Sequence, residues 1–598
     1  MNYTLNTTKE KASAFAALRK LLPLLRPDRK RLIASLIAII VNSGLTLLAP
    51  LLIGLAVNHY IITKELPGLM KYTLLVLAVY GGAFISQYIQ MRLMGGVGQR
   101  LLYSLRNTVF EKLQSLPIAF FNQNKAGDLI SRINNDTNNL NQFFSQSLMQ
   151  FIGSIFMVVG AAIFILSINL RLGLITLIPL AVVLIVTQIV SPWVKRQNAK
   201  SLQEVGGMSA EIQESLSNFK VIVAFNRRDY FREKFEAANH KNFITSVRAG
   251  IANNIFIAIY TFASNAAQLL VLVYGIHLIL IGNFTVGFLI SYLTYTTRLY
   301  DPLRQMASLW ATFQTAMASW DRIYAILSLE NNIKILPVAG QVDSTAPVIA
   351  FRDVGFTYTD GKTVLNDVNL ALTQGKTYAL VGPTGGGKTT TASLMARLYD
   401  PSNGTVVLEG VDIRTLDEGT RSQKIGFILQ EPFLFTGTVG ENIFYGNAVY
   451  ADYSNEQLET VLREAGLHGF VEQFEEGLAT PVTQSGESIS LGQRQLVAFM
   501  RAVLRQPDII ILDEATANID SLSERQIQLA TEVATRGRTS VIIAHRLSTI
   551  LHCDLIVVLD HGRIVEMGHH QDLLNQRGKY FELYNLQYMS AVEAQVLL

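Results

Sequence analysis

The stretch Thr377-Tyr-Ala-Leu-Val-Gly-Pro-Thr-Gly-Gly-Gly-Lys-Thr-Thr390 decides the fold of the second half of the chain. Its apolar start predicts a β-strand over Thr377–Val381, and the residues after the last glycine predict a helix. The pattern G-x-x-x-x-G-K-T between them is typical of a loop that binds phosphate, because glycines let backbone N–H groups close around phosphate oxygens. The residues predicted to line this site are Gly382, Pro383, Thr384, Gly385, Gly386, Gly387, Lys388, Thr389 and Thr390.

A second apolar run, 509–512, ends in two adjacent carboxylates, Asp513 and Glu514. At the end of a strand beside a phosphate loop, Asp513 can bind Mg²⁺ together with the Thr389 hydroxyl, and Glu514 can polarise an attacking water. Two adjacent carboxylates alone are weak evidence for a metal-binding and catalytic site, but together with the phosphate loop upstream they are strong evidence. The sequence therefore predicts a site that binds nucleotide phosphates with Mg²⁺.

The second half reads as an α/β domain. A polar segment, 330–345, contains Pro337 and Gly340 and indicates a domain boundary. Beyond it, β-branched runs alternate with helical stretches, the pattern of an α/β fold. The predicted strands are 377–381, 424–429, 509–512, 540–544 and 555–559. We predict a linker over 326–347 and a nucleotide-binding domain over 348–598.

Composition indicates that part of the chain lies in a membrane. Of the 598 residues, 49% are hydrophobic and 16% are charged, which is below the roughly 25% charged residues of soluble proteins. The net charge of +4 is too small over this length to suggest a nucleic-acid-binding protein. A lone cysteine, Cys553, excludes an internal disulfide and a cysteine metal cluster.

Six apolar stretches near the length of a membrane-spanning helix predict an all-α polytopic membrane domain over 1–325. They are 32–57, 72–93, 148–168, 172–190, 251–281 and 286–310. Basic residues precede the first stretch, which places that end, and after six crossings the second half, in the cytoplasm. The connections after the second and fourth stretches read as helical extensions into the cytoplasm, and short polar turns near Gly127, Asp128 and Phe219 are predicted to couple them to the second domain.

Together these motifs resemble an ATP-binding cassette (ABC) exporter half-transporter of the multidrug-resistance type, over nearly the whole chain. The resemblance implies that Tyr358 stacks on adenine and that Gln430 contacts Mg²⁺ and the attacking water. It also implies that His545 contacts the γ-phosphate and that Asp520 communicates across a dimer. In the family two such domains pair head to tail, so that each ATP lies between the phosphate loop of one chain and the signature motif of the other.

The signature motif departs from the family pattern Leu-Ser-Gly-Gly-Gln. Here the motif, which would contact the partner's ATP, consists of Ile489, Ser490, Leu491, Gly492 and Gln493. A branched side chain in place of the first glycine should crowd the γ-phosphate. The stretch Thr483-Gln-Ser485 also lacks a Glu that such exporters often carry, and Gly386 is more often Ser, a change expected to be mild. We therefore expect a heterodimer with one competent and one degenerate ATP site, and a symmetric homodimer is the alternative.

The resemblance implies ATP-driven export of amphipathic or hydrophobic compounds by alternating access. A dedicated lipid flippase is one alternative, and an ATP-gated regulatory or sensor subunit is another. Substrate choice stays open: the charged residues on one face of the sixth stretch could line the path or form a structural ion pair, and several tyrosines could contact drugs or lipids. These residues are Arg298, Asp301 and Arg304, and Tyr80, Tyr88, Tyr260, Tyr292 and Tyr295.

Overall fold

The computed structural model of the chain describes residues 3–5, 23, 25–62, 64–331, 333, 335–337, 346–358, 361–430, 432–450, 452–483, 486, 488–513, 521–544 and 550–586. They divide into two compact units. The membrane unit lies within 5–114 and 126–329, and the nucleotide unit comprises residues from 330 onward with 3–4 and 115–125. A short intracellular segment of the first half therefore belongs to the nucleotide unit.

Long helices dominate the first half of the chain. They run in the order α1 Arg29–Ala56, α2 Leu66–Gln114, α3 Ile118–Gln123, α4 Ala126–Ser131, α5 Thr137–Gln142, α6 Leu148–Ile168, α7 Leu170–Ser217, α8 Phe219–Ala224, α9 Arg228–Leu280 and α10 Val286–Leu327. At about 1.5 Å per residue, α2, α7 and α9 each exceed the roughly 30 Å of a bilayer core by more than twofold. The predicted helical extensions are therefore confirmed.

Five helical stretches of the described residues are long and apolar enough to cross a membrane, namely 26–61, 66–114, 126–168, 170–217 and 228–280. They contain the first four predicted segments and the fifth, 251–281, except for its last residue. The sixth predicted segment, 286–310, is helical within α10 but is not among the five. Its threonines, tyrosines and charged residues lower its hydropathy.

Tyrosine hydroxyls tie the membrane helices together. Tyr292 donates to the carbonyl oxygen of Ile165 at 2.8 Å, and Tyr300 donates to that of Thr176 at 2.9 Å. Tyr295 also donates to a backbone carbonyl, and all three tyrosines are buried. Satisfying these hydroxyls inside the unit makes the rings structural elements of the helix packing.

The nucleotide unit contains two larger sheets. Its strands are β1 Ile349–Thr357, β2 Thr363–Leu372, β3 Thr377–Val381, β4 Asn403–Leu408, β5 Val411–Asp412, β6 Ile425–Ile428, β7 Gly437–Thr438, β8 Pro481–Val482, β9 Ile509–Asp513, β10 Thr539–Ile543, β11 Leu555–Asp560 and β12 Arg563–Gly568. One sheet has the order β2-β1-β4-β5 and the other β12-β11-β3-β10-β9-β6. The pairs among β6, β9, β10, β3 and β11 are all parallel. The five predicted strands are therefore confirmed to within a residue at either end.

Helices cover these sheets: α11 Lys388–Met395, α12 Glu418–Lys424, α13 Val439–Ile443, α14 Asn455–Glu464, α15 His468–Val471, α16 Leu491–Leu504, α17 Ser521–Thr535, α18 His570–Gln576 and α19 Lys579–Tyr584. Strands β3, β9 and β10 are almost entirely buried, as their unbroken apolar runs predict for central parallel strands. Because these strands are parallel, the carboxyl ends of β3, β6, β9 and β10 lie along one edge of the sheet.

Candidate functional site

The phosphate loop connects β3 to α11. Its backbone needs glycine at Gly382, Gly385 and Gly387, whose φ angles are +152°, +81° and +106°. A Cβ at Gly382 would lie 2.0 Å from the carbonyl oxygen of Leu559, and one at Gly387 would lie 2.6 Å from the Leu365 side chain. Side chains are excluded here by geometry, so the loop exposes its backbone N–H groups at the start of α11, where an anion is stabilised.

Lys388 is the first residue of α11 and is 6% exposed. Its Nζ donates to the carbonyl oxygens of Gly382 at 2.8 Å and Pro383 at 3.0 Å. Burial lowers the pKa of Lys388 below its usual value, and the Asp513 carboxylate counteracts that effect. The Lys388 ammonium is therefore held inside the phosphate loop, where it could contact both the loop and the phosphate oxygens of a bound nucleotide.

Side chains whose oxygen atoms could bind a metal ion lie near the same edge of the sheet. Thr389 is exposed beside Lys388, Asp513 ends β9, and Gln430 is exposed two residues after β6 ends. No group of three or more His, Cys, Asp or Glu among the described residues could hold a metal by itself. Hydroxyl, carboxylate and amide oxygens are hard donors that suit Mg²⁺, which in such sites also takes phosphate oxygens as ligands.

Tyr358 follows β1 and belongs to an aromatic group beside α11. Its hydroxyl lies 3.1 Å from that of Thr390, and its ring packs edge-on against Phe356 at 4.7 Å and Tyr399 at 5.6 Å between centroids. This contact holds the predicted adenine-stacking ring against the helix that carries the phosphate loop.

The sequence interpretation missed a contact between this aromatic group and α3. Asn122 Nδ2 donates to the hydroxyl of Tyr399 at 2.8 Å, across 277 residues of sequence. Burial raises the pKa of the Tyr399 phenol above its usual value. Asn122 lies in α3, and no local pattern around Tyr399 indicates Asn122 as its partner.

Tyr3 was also missed. It is 1% exposed, and its ring meets that of Phe120 edge-on at 6.4 Å between centroids. Its backbone N–H donates to Gln123 Oε1 at 2.8 Å, and its carbonyl oxygen accepts from Asn124 Nδ2 at 3.0 Å. Residue 3 thus packs against α3 inside the nucleotide unit.

The signature residues begin α16. Ser490 is the N-cap, and its hydroxyl accepts from the backbone N–H of Gln493 at 3.2 Å. The Gln493 Oε1 accepts from the backbone N–H of Ser490 at 2.9 Å, which completes a capping box. Leu491 is the first helical residue and is partly exposed, whereas Gly492 is buried. The helix start is therefore intact despite the leucine.

Several residues singled out in the sequence lie outside the part of the chain that the structure describes. They are Gln484, Ser485, Glu514, Asp520 and His545.

The predicted coupling residues belong to the membrane unit. Asp128 accepts from Arg132 Nε and Arg322 Nη2, both at 2.8 Å, and the Cβ of a residue at Gly127 would meet open space. Phe219 begins α8 and is 54% exposed. Their coupling role stays a prediction, while α3 makes the contact observed inside the nucleotide unit.

The residues predicted to line a translocation path comprise charged residues of the sixth segment and tyrosines. Asp301 and Arg304 approach to 4.0 Å, which is at the limit for an ion pair. Among the tyrosines, Tyr260, Tyr292 and Tyr295 are buried, whereas Tyr80 and Tyr88 are exposed. Only the exposed tyrosines present a free face on the single chain.

Comparisons with known proteins match both halves of the chain. The family model described as ABC transporter transmembrane region matches residues 32–303, and the model described as ABC transporter matches residues 365–517. An uncharacterized ABC transporter ATP-binding protein of Bacillus subtilis, YfiC, is 34% identical over 96% of this chain and 94% of its own length.

Two relatives have names that state a substrate. An ATP-dependent lipid A-core flippase of Syntrophus aciditrophicus is 30% identical over 95% of this chain and 94% of its own length. A fatty acid ABC transporter ATP-binding/permease protein of Mycobacterium bovis is 33% identical over 85% of this chain and 80% of its own length.

Proposed function

This chain belongs to the ABC transporters, as a half-transporter with its membrane and ATP-binding domains in one polypeptide, and from that membership we propose that it exports amphipathic or hydrophobic compounds as one half of a heterodimer. It is a multi-pass membrane protein of the lipid and multidrug exporter type, with an ATPase domain that in such exporters is cytoplasmic. Half-transporters of this family work as dimers. The heterodimer and the substrate class are the proposed part.

The ATP-binding half supports catalysis by this chain. The phosphate loop, Lys388 and Tyr358 provide places for the phosphates and the adenine ring. We expect Mg²⁺ to be held by Thr389, Asp513 and Gln430, whose oxygens fit this ion. Bound there, Mg²⁺ would neutralise charge on the phosphates. Glu514 and His545 are proposed as the general base and the γ-phosphate contact.

The observation that carries the asymmetric proposal is the side chain of Leu491. It occupies the first position of α16, beside the N-cap Ser490. An ATP phosphate approaching this helix start would meet four carbon atoms where the family has none, and close approach of an anion to helix N–H groups is the source of the stabilisation. A partner chain with glycine at this position would restore one of the two sites.

Alternating access requires the ATP state to reach the membrane helices. The Asn122 to Tyr399 hydrogen bond and the Tyr399 to Tyr358 ring contact form a continuous path from α3 to the proposed adenine site. We propose that this path biases α3 when ATP closes the dimer. Coupling of this kind needs only that ATP binds one conformation better than the other.

Apolar surface on the single chain supports a dimer. Phe219, Val221 and Phe225 expose 54%, 55% and 75% of their surface in and next to α8. A groove of about 320 Å³ in the nucleotide unit is lined in part by Phe427 and Tyr445. Apolar surface of this extent is typical of interaction sites, and we propose that the second half-transporter covers both regions.

The subunit composition tests the heterodimer. The tagged protein would be extracted gently from its native membrane and its subunits weighed by intact mass spectrometry. A second chain of similar size supports the proposal. Two copies of this chain alone, with normal ATP hydrolysis, would refute it.

Substitutions at Leu491 test whether its side chain is what weakens the signature motif. In a preparation of this chain alone, Leu491→Gly should raise ATP hydrolysis, while Leu491→Ala should raise it less. Glycine costs up to about 1 kcal/mol in a helix, so thermal unfolding must show that the variant is folded. Unchanged hydrolysis in both folded variants would mean that Leu491 is harmless.

A lipid flippase is the second candidate, since one relative is named as a lipid A-core flippase. Reconstituted protein would be assayed for ATPase stimulation by a panel of lipids and unrelated amphipathic dyes. Stimulation by many dyes supports multidrug export, and stimulation by a single lipid class supports the flippase.

A further inference from the structure

A cavity of about 390 Å³ lies in the membrane unit, where α1 begins and α2 leaves its apolar stretch. Its lining combines apolar and aromatic side chains with three arginines. The lining residues are Arg31, Tyr88, Ile89, Arg92, Leu93, Gly96 and Arg100.

Four of these residues follow one another at four-residue spacing along α2, so they share one face of the helix. They are Tyr88, Arg92, Gly96 and Arg100. The rise between Arg92 and Arg100 is roughly 12 Å, with a glycine at its midpoint. A Cβ at Gly96 would lie 3.5 Å from Arg100 Nη1. The glycine therefore leaves room between the two guanidinium groups.

Positive charge exceeds negative charge in this cavity. Arg31 Nη1 and Arg100 Nη2 both lie 2.8 Å from the same oxygen of Asp28. Arg92 is exposed, and no carboxylate among the described residues lies within ion-pair distance of it. Two guanidinium groups thus share the Asp28 carboxylate and Arg92 adds a third positive charge, so an anionic group bound in the cavity would balance the excess charge.

The cavity straddles the edge of the membrane. The first apolar stretch begins directly after Arg31, and the second ends at Leu93, directly after Arg92. Tyr88 and Ile89, one turn toward the membrane, expose 57% and 44% of their surface. Helix α2 continues to Gln114, and residues 115–125 belong to the nucleotide unit, so this edge faces the cytoplasm.

We propose that this cavity binds the headgroup of an anionic phospholipid from the cytoplasmic leaflet, as a resident site distinct from the transported compound. Guanidinium groups bind phosphate through paired hydrogen bonds, and basic pockets between membrane helices on the cytoplasmic side suit anionic headgroups. A soluble phosphate would satisfy the same arginines. The exposed Tyr88 and Ile89 favour a lipid, because an acyl chain would cover them.

Arg92→Gln is the most direct test because it leaves the ion pairs of Asp28 in place. The full-length protein would be reconstituted in phosphatidylcholine with phosphatidylglycerol, re-extracted, and the retained lipid counted by native mass spectrometry. We expect wild type to enrich phosphatidylglycerol and Arg92→Gln to retain about fivefold less, the effect of one surface cation near an anionic membrane. Arg92→Lys should retain more than Arg92→Gln.

A matched glycine pair tests the cavity without changing charge. Gly96→Leu fills the gap beside Arg100, whereas a Cβ at Gly95 meets open space, so Gly95→Leu is its control. Arg196→Gln, at an exposed arginine beyond the fourth apolar stretch, is the control for charge. We expect Gly96→Leu to lose the bound lipid and both controls to keep it.

Three results would overturn the site. The first is equal retention of phosphatidylglycerol by wild type, Arg92→Gln and folded Gly96→Leu. The second is equal retention of phosphatidylcholine and phosphatidylglycerol by wild type. The third is full displacement of the lipid by millimolar inorganic phosphate, which would assign the arginines to a soluble anion. Thermal unfolding of each variant establishes that it is folded.

Discussion

Replacing Tyr399 with phenylalanine should weaken the link between the ATP site and α3 while leaving the adenine-stacking group in place. The substitution removes the hydroxyl that accepts from Asn122 at 2.8 Å and keeps the ring that packs on Tyr358 at 5.6 Å. A neutral hydrogen bond of this kind contributes about 0.5 to 1.5 kcal/mol. If it is made in only one conformation, its loss shifts the conformational equilibrium by roughly two- to tenfold.

The assay is the ratio of substrate-stimulated to basal ATPase activity in reconstituted transporter, with the affinity for ATP measured separately. We expect the ratio to fall by roughly two- to tenfold in Tyr399→Phe, with little change in ATP affinity. A double-mutant cycle with Asn122→Ala isolates the pair. Additive effects of Tyr399→Phe and Asn122→Ala, with an interaction energy near zero, would refute the reasoning.

Three further predictions concern single residues of the nucleotide unit. Glu514→Gln should keep ATP binding and lower turnover by about a hundredfold or more, and normal turnover would remove Glu514 from its proposed role. Gly386→Ser places a Cβ 2.9 Å from the carbonyl oxygen of Leu559, so thermal or denaturant unfolding should show a loss of about 1 kcal/mol, and equal stability would mean that the loop adjusts freely. His570 lies 2.7 Å from the Tyr580 hydroxyl, and burial lowers the pKa of His570. As the pH falls, His570 is therefore protonated in the unfolded chain before it is protonated in the folded protein, so the stabilisation that neutral His570 contributes to folding is complete above about pH 6.5 and is lost below it. Melting temperatures measured against pH should fall more steeply on acidification in wild type than in His570→Gln.

Sequence patterns predicted the nucleotide unit well because its signals are local. The glycines of the phosphate loop mark positions where a backbone with positive φ excludes other residues, as at Gly387. The buried parallel strands appear as unbroken apolar runs, and five of them were found within a residue of their observed bounds. The strands of the other sheet carry mixed patterns and are not among the predicted strands.

The sixth predicted membrane segment, 286–310, is helical but less apolar than the other five. Its helix, α10, carries tyrosines whose hydroxyls donate to carbonyl oxygens of other helices, as Tyr292 does to Ile165. A hydropathy window counts such residues as polar, although their hydroxyls are buried and bonded. Which residues are paired inside a helix bundle depends on neighbours far along the chain.

The sequence by itself determined the membrane and α/β domains and the phosphate loop, which follow from periodicity, turn chemistry and motif spacing that act over a few residues. Its resemblance to ABC exporters identified Leu491 as an unusual residue of the signature motif. Only the tertiary structure decided that Asn122 bonds Tyr399, 277 residues away, and that Arg31 lines one cavity with Arg92 and Arg100. Such contacts depend on which helix faces pack together, and that choice is made by the burial of many side chains at once.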